Sequence, residues 1–128
     1  MCHMYRWFLD GNFSVAPALF KQLYVIRAPL ESSYVTCVYA LLSGKTQDEY
    51  EELLRAVLNK CTQLGYQPDP DIVLSDFEMS VIRAVKDVVG NHVTHKGCFY
   101  HLTQSTWRKV RISGIICLDQ MFTSTCLF

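Results

Sequence analysis

The chain has 128 residues, half of them apolar and 19% charged, and its formal net charge is zero. This composition predicts one folded domain with a sizeable core and argues against wholesale disorder. No segment reaches the roughly 18 consecutive apolar residues of a membrane span, and the N-terminus lacks a secretory pattern. The six scattered cysteines then predict reduced thiols in an intracellular protein with no membrane partner.

Charge is unevenly distributed along the chain. Residues 1–82 contain six basic and ten acidic residues, whereas residues 83–128 contain six basic and two acidic residues. Three of the basic residues, Arg108, Lys109 and Arg111, lie close together. This cluster indicates either contact with an anionic partner or a solvated helix face.

The first third of the sequence predicts three strands. Residues 4–14 form a strand candidate in which Tyr5, Trp7 and Leu9 alternate with Arg6, Phe8 and Asp10. A second strand candidate covers residues 19–28. Pro29 should end this second strand, because proline has no N–H and restricts its predecessor. Residues 33–42 are β-branched, aromatic and apolar on both faces, which predicts a central strand covered on two sides.

The hydrophobic period then becomes helical. Thr46 and Glu49 have the spacing of a capping box, apolar residues follow at helical intervals, and Gly65 is a C-terminal stop signal. A buried strand is predicted over residues 71–76 and a second helix from about residue 77 to 89.

The last predicted elements are a short strand over residues 92–98 and a helix over residues 99–111. Short links between the first three strands favour an antiparallel meander, whereas strands separated by helices require parallel crossovers. The expected fold class is therefore α/β. It is a mixed sheet with flanking helices, in which strand 71–76 lies parallel beside the first strand. In such sheets, functional sites gather at the carboxyl ends of the strands.

Two aspartates follow apolar runs that are far apart in the sequence. Asp10 lies near the end of the aromatic run YRWFLDGNF at residues 5–13, and Asp76 follows the apolar run in DIVLSDFEMS at residues 71–80. Both positions invite the question of whether these carboxylates serve local turns or meet in one site.

Local turn and cap chemistry is the first interpretation. Asp10-Gly11 between apolar runs is a hairpin signal. Ser75 and Glu78 have the spacing of a capping box, which would put Asp76 in the favourable first turn of a helix.

A shared site is the second interpretation. If the first strand lies beside strand 71–76, the carboxylates of Asp10 and Asp76 reach one edge of the sheet and repel unless a cation lies between them. Hard divalent ions such as Mg²⁺ take oxygen ligands of this kind. A two-metal site in turn suits phosphoryl transfer, with one ion activating the attacking oxygen and the other stabilising the leaving one.

Four segments with recognisable motifs follow one another along the chain. They are DGNF at 10–13 with Pro17 and Gln22-Leu23, YALLSGKTQDEY at 39–50, VLSDFE at 73–78 and GCFYHLTQSTWRKV at 97–110. Together they resemble the Mutator-like element (MULE) transposase domains, in which DGTF is the commonest opening form. The resemblance runs from about Trp7 to Val110.

The resemblance implies an RNase H-like catalytic core of the DDE type, which cuts DNA at transposon ends and joins it to target DNA. Asp10 and Asp76 match the first two of the three acidic residues that hold Mg²⁺ or Mn²⁺ in that family. Cys98 and His101 match its Cys-x-x-His motif. The family also implies DNA as the partner, with the basic cluster as candidate contact, a nuclear location in a eukaryote, and a homo-oligomer in a full-length form.

The departure from the family pattern lies near the C-terminal end. The family's third acid is a glutamate well after the Cys-x-x-His motif, but after Asp87 this chain has only Asp119 and no glutamate. Asp119 is the alternative third ligand, although its surroundings carry no family motif. Residues 1–113 are thus expected to be a partial MULE catalytic core, C-terminally incomplete, and residues 114–128 a tail of no recognised pattern.

Three function hypotheses follow. The leading one is a truncated DDE transposase catalytic domain, inactive alone. The second is a domesticated DNA-binding or scaffold module that keeps the fold without catalysis. The third is a metal-dependent nuclease of the same fold, which like an active transposase would need the third acid.

A zinc site is the remaining alternative, since four candidate ligands fall at intervals of three. These are His92, His95, Cys98 and His101. Finger-type sites, however, separate their two ligand pairs by a loop. A buried Cys98 and a hydrogen-bonded His101 at a helix start are therefore favoured over zinc coordination.

Overall fold

The computed structural model of the protein describes residues 6–97, which form a five-stranded sheet and two helices. Their bounds are β1 (Arg6–Asn12), β2 (Gln22–Leu30), β3 (Ser33–Leu42), α1 (Gln47–Gln63), β4 (Ile72–Ser75), α2 (Met79–Val88) and β5 (Thr94–Gly97). The helix predicted over residues 99–111 lies outside the described residues.

The sheet has the strand order β3-β2-β1-β4-β5. β1 is antiparallel to β2 and parallel to β4, β2 is antiparallel to β3, and β4 is parallel to β5. The α/β class is therefore confirmed, with its RNase H-like combination of an antiparallel meander and parallel strands. The predicted parallel pairing of strand 71–76 with the first strand is confirmed as well.

The core lies between one face of the sheet and the two helices. Side chains alternate between the faces of a strand, so Trp7 and Leu9 of β1 are buried while Arg6, Phe8 and Asp10 lie on the opposite face. Burying this face stabilises the fold by about 25 cal/mol for each Å² of apolar surface removed from water. The core residues are Trp7, Leu9, Tyr24, Ile26, Ala28, Leu42, Tyr50, Leu54, Val73, Val81, Ala84, Val85 and Val93.

The predicted start of α1 is confirmed in detail. Thr46 is the N-cap, its hydroxyl accepts a bond from the Glu49 amide, and the Glu49 carboxylate accepts one from the Thr46 amide. Gly65 follows the helix with a positive φ of 81°, a backbone conformation that favours glycine. Among the described residues, neither helix has the length and hydropathy needed to cross a membrane.

Two details of the strand prediction are wrong. β3 is an edge strand of the described sheet, and Tyr39, on the face of β3 turned away from the core, is 70% exposed. β-branched and aromatic residues favour a strand wherever it lies in a sheet, so they do not specify a central position. β2 also continues through Pro29 to Leu30. Within residues 6–97, β3 is its only partner beyond Arg27, and proline is tolerated where a strand has one neighbour.

Candidate functional site

Asp10 on β1 and Asp76 directly after β4 occupy matching positions along two neighbouring parallel strands. The β1–β4 pairing ends with Phe8 beside Leu74, and each aspartate stands two residues further along its own strand direction. Neighbouring strands are about 4.8 Å apart, so this register brings both residues to the same carboxyl edge of the sheet. Both residues are partly buried at that edge.

The hairpin and capping interpretations of these aspartates are wrong. Asp10 and Gly11 lie inside β1, where they pair with Val25 and Tyr24 of β2. The N-cap of α2 is Glu78, which makes no side-chain cap bond, and the first turn of α2 contains no acidic residue. Asp76 therefore stands in the β4–α2 loop, free of the capping role that its spacing suggested.

The Ser75 hydroxyl anchors the start of that loop. It donates to the carbonyl oxygen of Asp76 at 2.8 Å and lies 2.7 Å from the Nε2 atom of His95 on β5. Ser75 is 1% exposed, so these bonds satisfy a buried hydroxyl. The contact fixes the end of β4 against β5 immediately before Asp76.

The two histidines that lie in the described part of the chain have separate partners. His92 Nε2 lies 2.6 Å from a carboxylate oxygen of Asp69, whereas His95 faces Ser75. Within residues 6–97, no group of three or more His, Cys, Asp or Glu side chains is arranged to hold a metal ion. Six of the predicted site residues lie outside the described range, namely Cys98, His101, Arg108, Lys109, Arg111 and Asp119.

A buried polar network that the sequence did not predict links β2 and α1 to the β4–α2 loop. The amide of Gln22 donates to the Gly44 carbonyl oxygen at 2.8 Å and to the Tyr50 hydroxyl at 3.0 Å. The Tyr50 hydroxyl donates in turn to a carboxylate oxygen of Glu78 at 3.3 Å, and Ser80 donates to the same oxygen at 2.9 Å. Burial raises the pKa of Tyr50, which keeps the phenol protonated as a donor.

Lys45 lies on the exposed side of this network. Its ammonium is 3.8 Å from Glu78 and 4.2 Å from the centre of the Phe13 ring. Because Lys45 and Glu78 are both partly exposed, the ion pair contributes little to stability, on the order of 1 kcal/mol or less. Its main consequence is to keep a cationic side chain at the edge that carries the aspartates.

Tyr24 lies in the core below the same edge, with its ring 5.2 Å from that of Tyr50. Burial is the largest cause that raises its pKa well above the usual value, followed by the charges of Tyr50, Asp76, Glu78 and Asp10. The Tyr24 hydroxyl is buried and makes no hydrogen bond within residues 6–97. The raised pKa keeps this buried phenol neutral, so that its hydroxyl remains a donor.

The carboxylates at this edge of the sheet suit a hard divalent cation. Two partly buried carboxylates, one on β1 and one directly after the adjacent β4, provide the oxygen ligands that Mg²⁺ and Mn²⁺ prefer. The buried Tyr24 hydroxyl, on which the charges of both aspartates act, is a polar group of the kind that supports the ligands of a metal ion. Asp10 and Asp76 are the residues that would hold the ion.

Gly11 next to the first aspartate is required by close packing. A Cβ atom at Gly11 would lie 3.1 Å from the Tyr24 ring and would collide with the Gln22 side-chain oxygen. Gln22 is 1% exposed and held by two hydrogen bonds, so it cannot easily move away. We expect Gly11→Ala to lower the free energy of unfolding by about 1–2 kcal/mol through overpacking, as measured by urea unfolding.

The same substitution at Gly65 is the control for packing. An added Cβ there meets no atom within 4 Å, so any cost comes from the positive φ alone. Equal urea midpoints for Gly11→Ala and the parent chain would contradict the close approach of Gln22 to β1.

His95 makes the stability depend on pH. Burial lowers its pKa below the usual 6.5, Asp76 opposes this and Lys86 reinforces it. The unfolded chain then binds the proton more readily than the folded one. The contribution of neutral His95 to the free energy of unfolding is therefore complete above pH 6.5 and is lost as pH falls below that value. We expect the difference in unfolding free energy between the parent and His95→Gln to change below pH 6.5 and to stay constant above it.

Comparison with known proteins adds a family match. A model of the MULE transposase domain matches residues 3–105. No curated protein matches the sequence.

Three solved structures resemble the fold. One is a chain of the simian T-cell lymphotropic virus intasome in complex with PP2A regulatory subunit B56 gamma, with 13% identity, a TM-score of 0.44, and coverage of 90% of this chain and 42% of that one. The second is the HTLV-2 integrase catalytic core domain in complex with magnesium in its dimeric form, with 14% identity, a TM-score of 0.43, and coverage of 88% and 72%. The third is the trimeric form of that domain, with 13% identity, a TM-score of 0.45, and coverage of 91% and 78%.

Proposed function

The chain belongs to the MULE transposase domain family, and from that premise we propose that it is a DDE-type catalytic domain for metal-dependent DNA strand cleavage and strand transfer. The observation that carries the proposal is the parallel register of β1 and β4, with Asp10 and Asp76 at one sheet edge. The family match alone would leave open whether the two matched acids can act together.

Each residue of the site has a defined task in this proposal. Asp10 and Asp76 hold Mg²⁺ or Mn²⁺, which when bound would activate an attacking oxygen and stabilise a leaving one in phosphoryl transfer. The Ser75–His95 contact holds the strand end that precedes Asp76. Lys45 supplies a positive charge for the phosphate backbone at the same edge.

We further propose that the 128-residue chain is inactive by itself. The family requires a third acid after the Cys-x-x-His motif, and Asp119 is the only acidic residue after Asp87. Two carboxylates would bind a divalent ion weakly, because ligand number and charge determine affinity for hard cations.

The proposed partner is DNA, as transposon ends and target. Arg108, Lys109 and Arg111 are the candidate phosphate contacts, and this binding should weaken as salt rises, because phosphate contacts release counterions. A nuclear location in a eukaryotic host and a homo-oligomer of a full-length form belong to the same proposal.

A DNA-binding or scaffold module without catalysis is the second candidate. The observation in its favour is that residues 6–97 contain no group of three potential metal ligands. A module of this kind would bind DNA equally well with or without Asp10 and Asp76.

Titration calorimetry with Mn²⁺ tests the proposed site. The parent chain should bind Mn²⁺ weakly, and Asp10→Asn and Asp76→Asn should each abolish that binding, because each removes a charged ligand from a set of two. Asp71→Asn is the matched control, since Asp71 is an exposed aspartate directly before the opposite end of β4. Unchanged Mn²⁺ binding in either site variant would contradict the assignment.

A further inference from the structure

The Tyr24 hydroxyl is unusual because it is buried without a hydrogen bond in the part of the chain that the structure describes. The residue is only 4% exposed, so bulk water does not satisfy the hydroxyl. Most buried polar groups in proteins have a partner, since an unpaired one costs the free energy of its lost hydration. A hydroxyl kept at this cost calls for a functional or structural explanation.

The position of Tyr24 restricts what that partner can be. Tyr24 pairs with Gly11 across β1 and β2, and the lack of a side chain at Gly11 lets the Tyr24 ring approach β1 closely. The charges of Asp76, Glu78 and Asp10 all reach the phenol, in that order of strength. The hydroxyl is therefore a protonated donor on which these carboxylate charges act.

The neighbouring network does not use this hydroxyl. Tyr50 packs against the Tyr24 ring, but its own hydroxyl is occupied by Gln22 and Glu78. Glu78 is further engaged by Ser80 and Lys45. Among the carboxylates near Tyr24, Asp76 is the one whose charge acts most strongly on the phenol.

We propose that Tyr24 is a positioning residue of the cation site, in which the phenol donates a hydrogen bond to a carboxylate oxygen of Asp76 when a cation is held between Asp10 and Asp76. A carboxylate that gives one lone pair to a metal ion has others free to accept a bond, and such a bond fixes its orientation. This inference rests on the proposed metal site at the sheet edge.

Tyr24→Phe separates this role from a packing role, because the two predict opposite effects. Loss of the bond to a metal ligand should raise the Kd for Mn²⁺ about tenfold, the lower end of what supporting residues contribute. Loss of an unpaired buried hydroxyl should leave the metal-free Tm unchanged or raise it. A hydroxyl with a purely structural partner would instead lower the Tm.

The experiment measures Mn²⁺ binding by calorimetry and metal-free unfolding by circular dichroism on the full 128-residue chain. Tyr39→Phe is the matched control, because it removes a hydroxyl from an exposed tyrosine of the same sheet and should change neither quantity. Asp10→Asn reports on the metal site itself.

The outcomes distinguish the inference from its premise. A weaker Mn²⁺ affinity with an undiminished Tm supports the inference. Unchanged affinity in Tyr24→Phe, with binding lost in Asp10→Asn, overturns the inference and leaves the metal site standing. A lower metal-free Tm in Tyr24→Phe overturns it in favour of a structural role, and parent-like binding in Asp10→Asn overturns the metal site and the inference together.

Discussion

Supercoiled plasmid DNA should remain uncut when it is incubated with the purified 128-residue chain and Mn²⁺ or Mg²⁺. A phosphoryl-transfer site must hold its ions tightly enough to align the attacking and leaving oxygens, and a misplacement of about 1 Å can cost roughly 10²-fold in rate. Asp10 and Asp76 are matched in register, but the third acid of the family has no counterpart apart from Asp119. Gel electrophoresis of nicked and supercoiled forms measures the result.

The opposite result would identify the missing ligand. If the chain nicks the plasmid, the activity should be tested in Asp10→Ala and Asp119→Ala, with Asp71→Ala as a control for the loss of a carboxylate elsewhere. Cleavage that disappears in both site variants and persists in the control would make Asp119 the third ligand and overturn the proposed inactivity. Cleavage that survives both variants would point to a contaminating nuclease.

The sequence predicted the elements and their pairing because both depend on local rules. The capping box at Thr46 and Glu49 and the helical apolar spacing of α1 define a helix without tertiary information. Chain connectivity then restricts the sheet, since strands joined by short links pair antiparallel and strands joined by helices run parallel. The alignment of Asp10 with Asp76 follows from that connectivity, because each aspartate lies near the carboxyl end of its apolar strand segment.

The sequence-based predictions were wrong where tertiary contacts overrode a local sequence preference. Asp10-Gly11 has the composition of a turn, yet it stays in β1 because both residues pair with β2, and Gly11 serves close packing against Gln22 and Tyr24. The apolar sequence of β3 could equally have been central. Its position at the edge is a consequence of the strand order, which its own residues do not encode.

The polar network was missed for a related reason. Gln22, Tyr50 and Glu78 stand in three different elements or loops, and their contacts depend on how α1 and the β4–α2 loop pack over β2. A single polar residue such as Gln22 at the start of an apolar strand was the one available signal. Glu78 was interpreted only as a capping residue, which is the commonest role at its spacing.

The Gln22→Leu substitution should be among the most destabilising changes in this chain. Leucine fills a similar volume but removes both bonds of the buried amide, so the Gly44 carbonyl and the Tyr50 hydroxyl each lose a donor. An unsatisfied buried group costs about 1–3 kcal/mol, and the apolar gain of leucine offsets part of the sum, so the free energy of unfolding should fall by about 2–3 kcal/mol. A thermal midpoint lower by roughly 10 °C would match this loss in a domain of this size.

Gln47→Leu is the matched control, because the Gln47 amide also donates two bonds of 2.8 Å, but to Glu51 and to the exposed Asp87. Water can replace those bonds, so this variant should lose no more than about 0.5 kcal/mol. Coupling provides the stricter test: if Gln22 and Tyr50 act as one network, Tyr50→Phe should cost less in the Gln22→Leu background than in the parent chain. Additive costs in that double-mutant cycle, or equal losses for Gln22→Leu and Gln47→Leu, would contradict a network that supports the loop of Asp76.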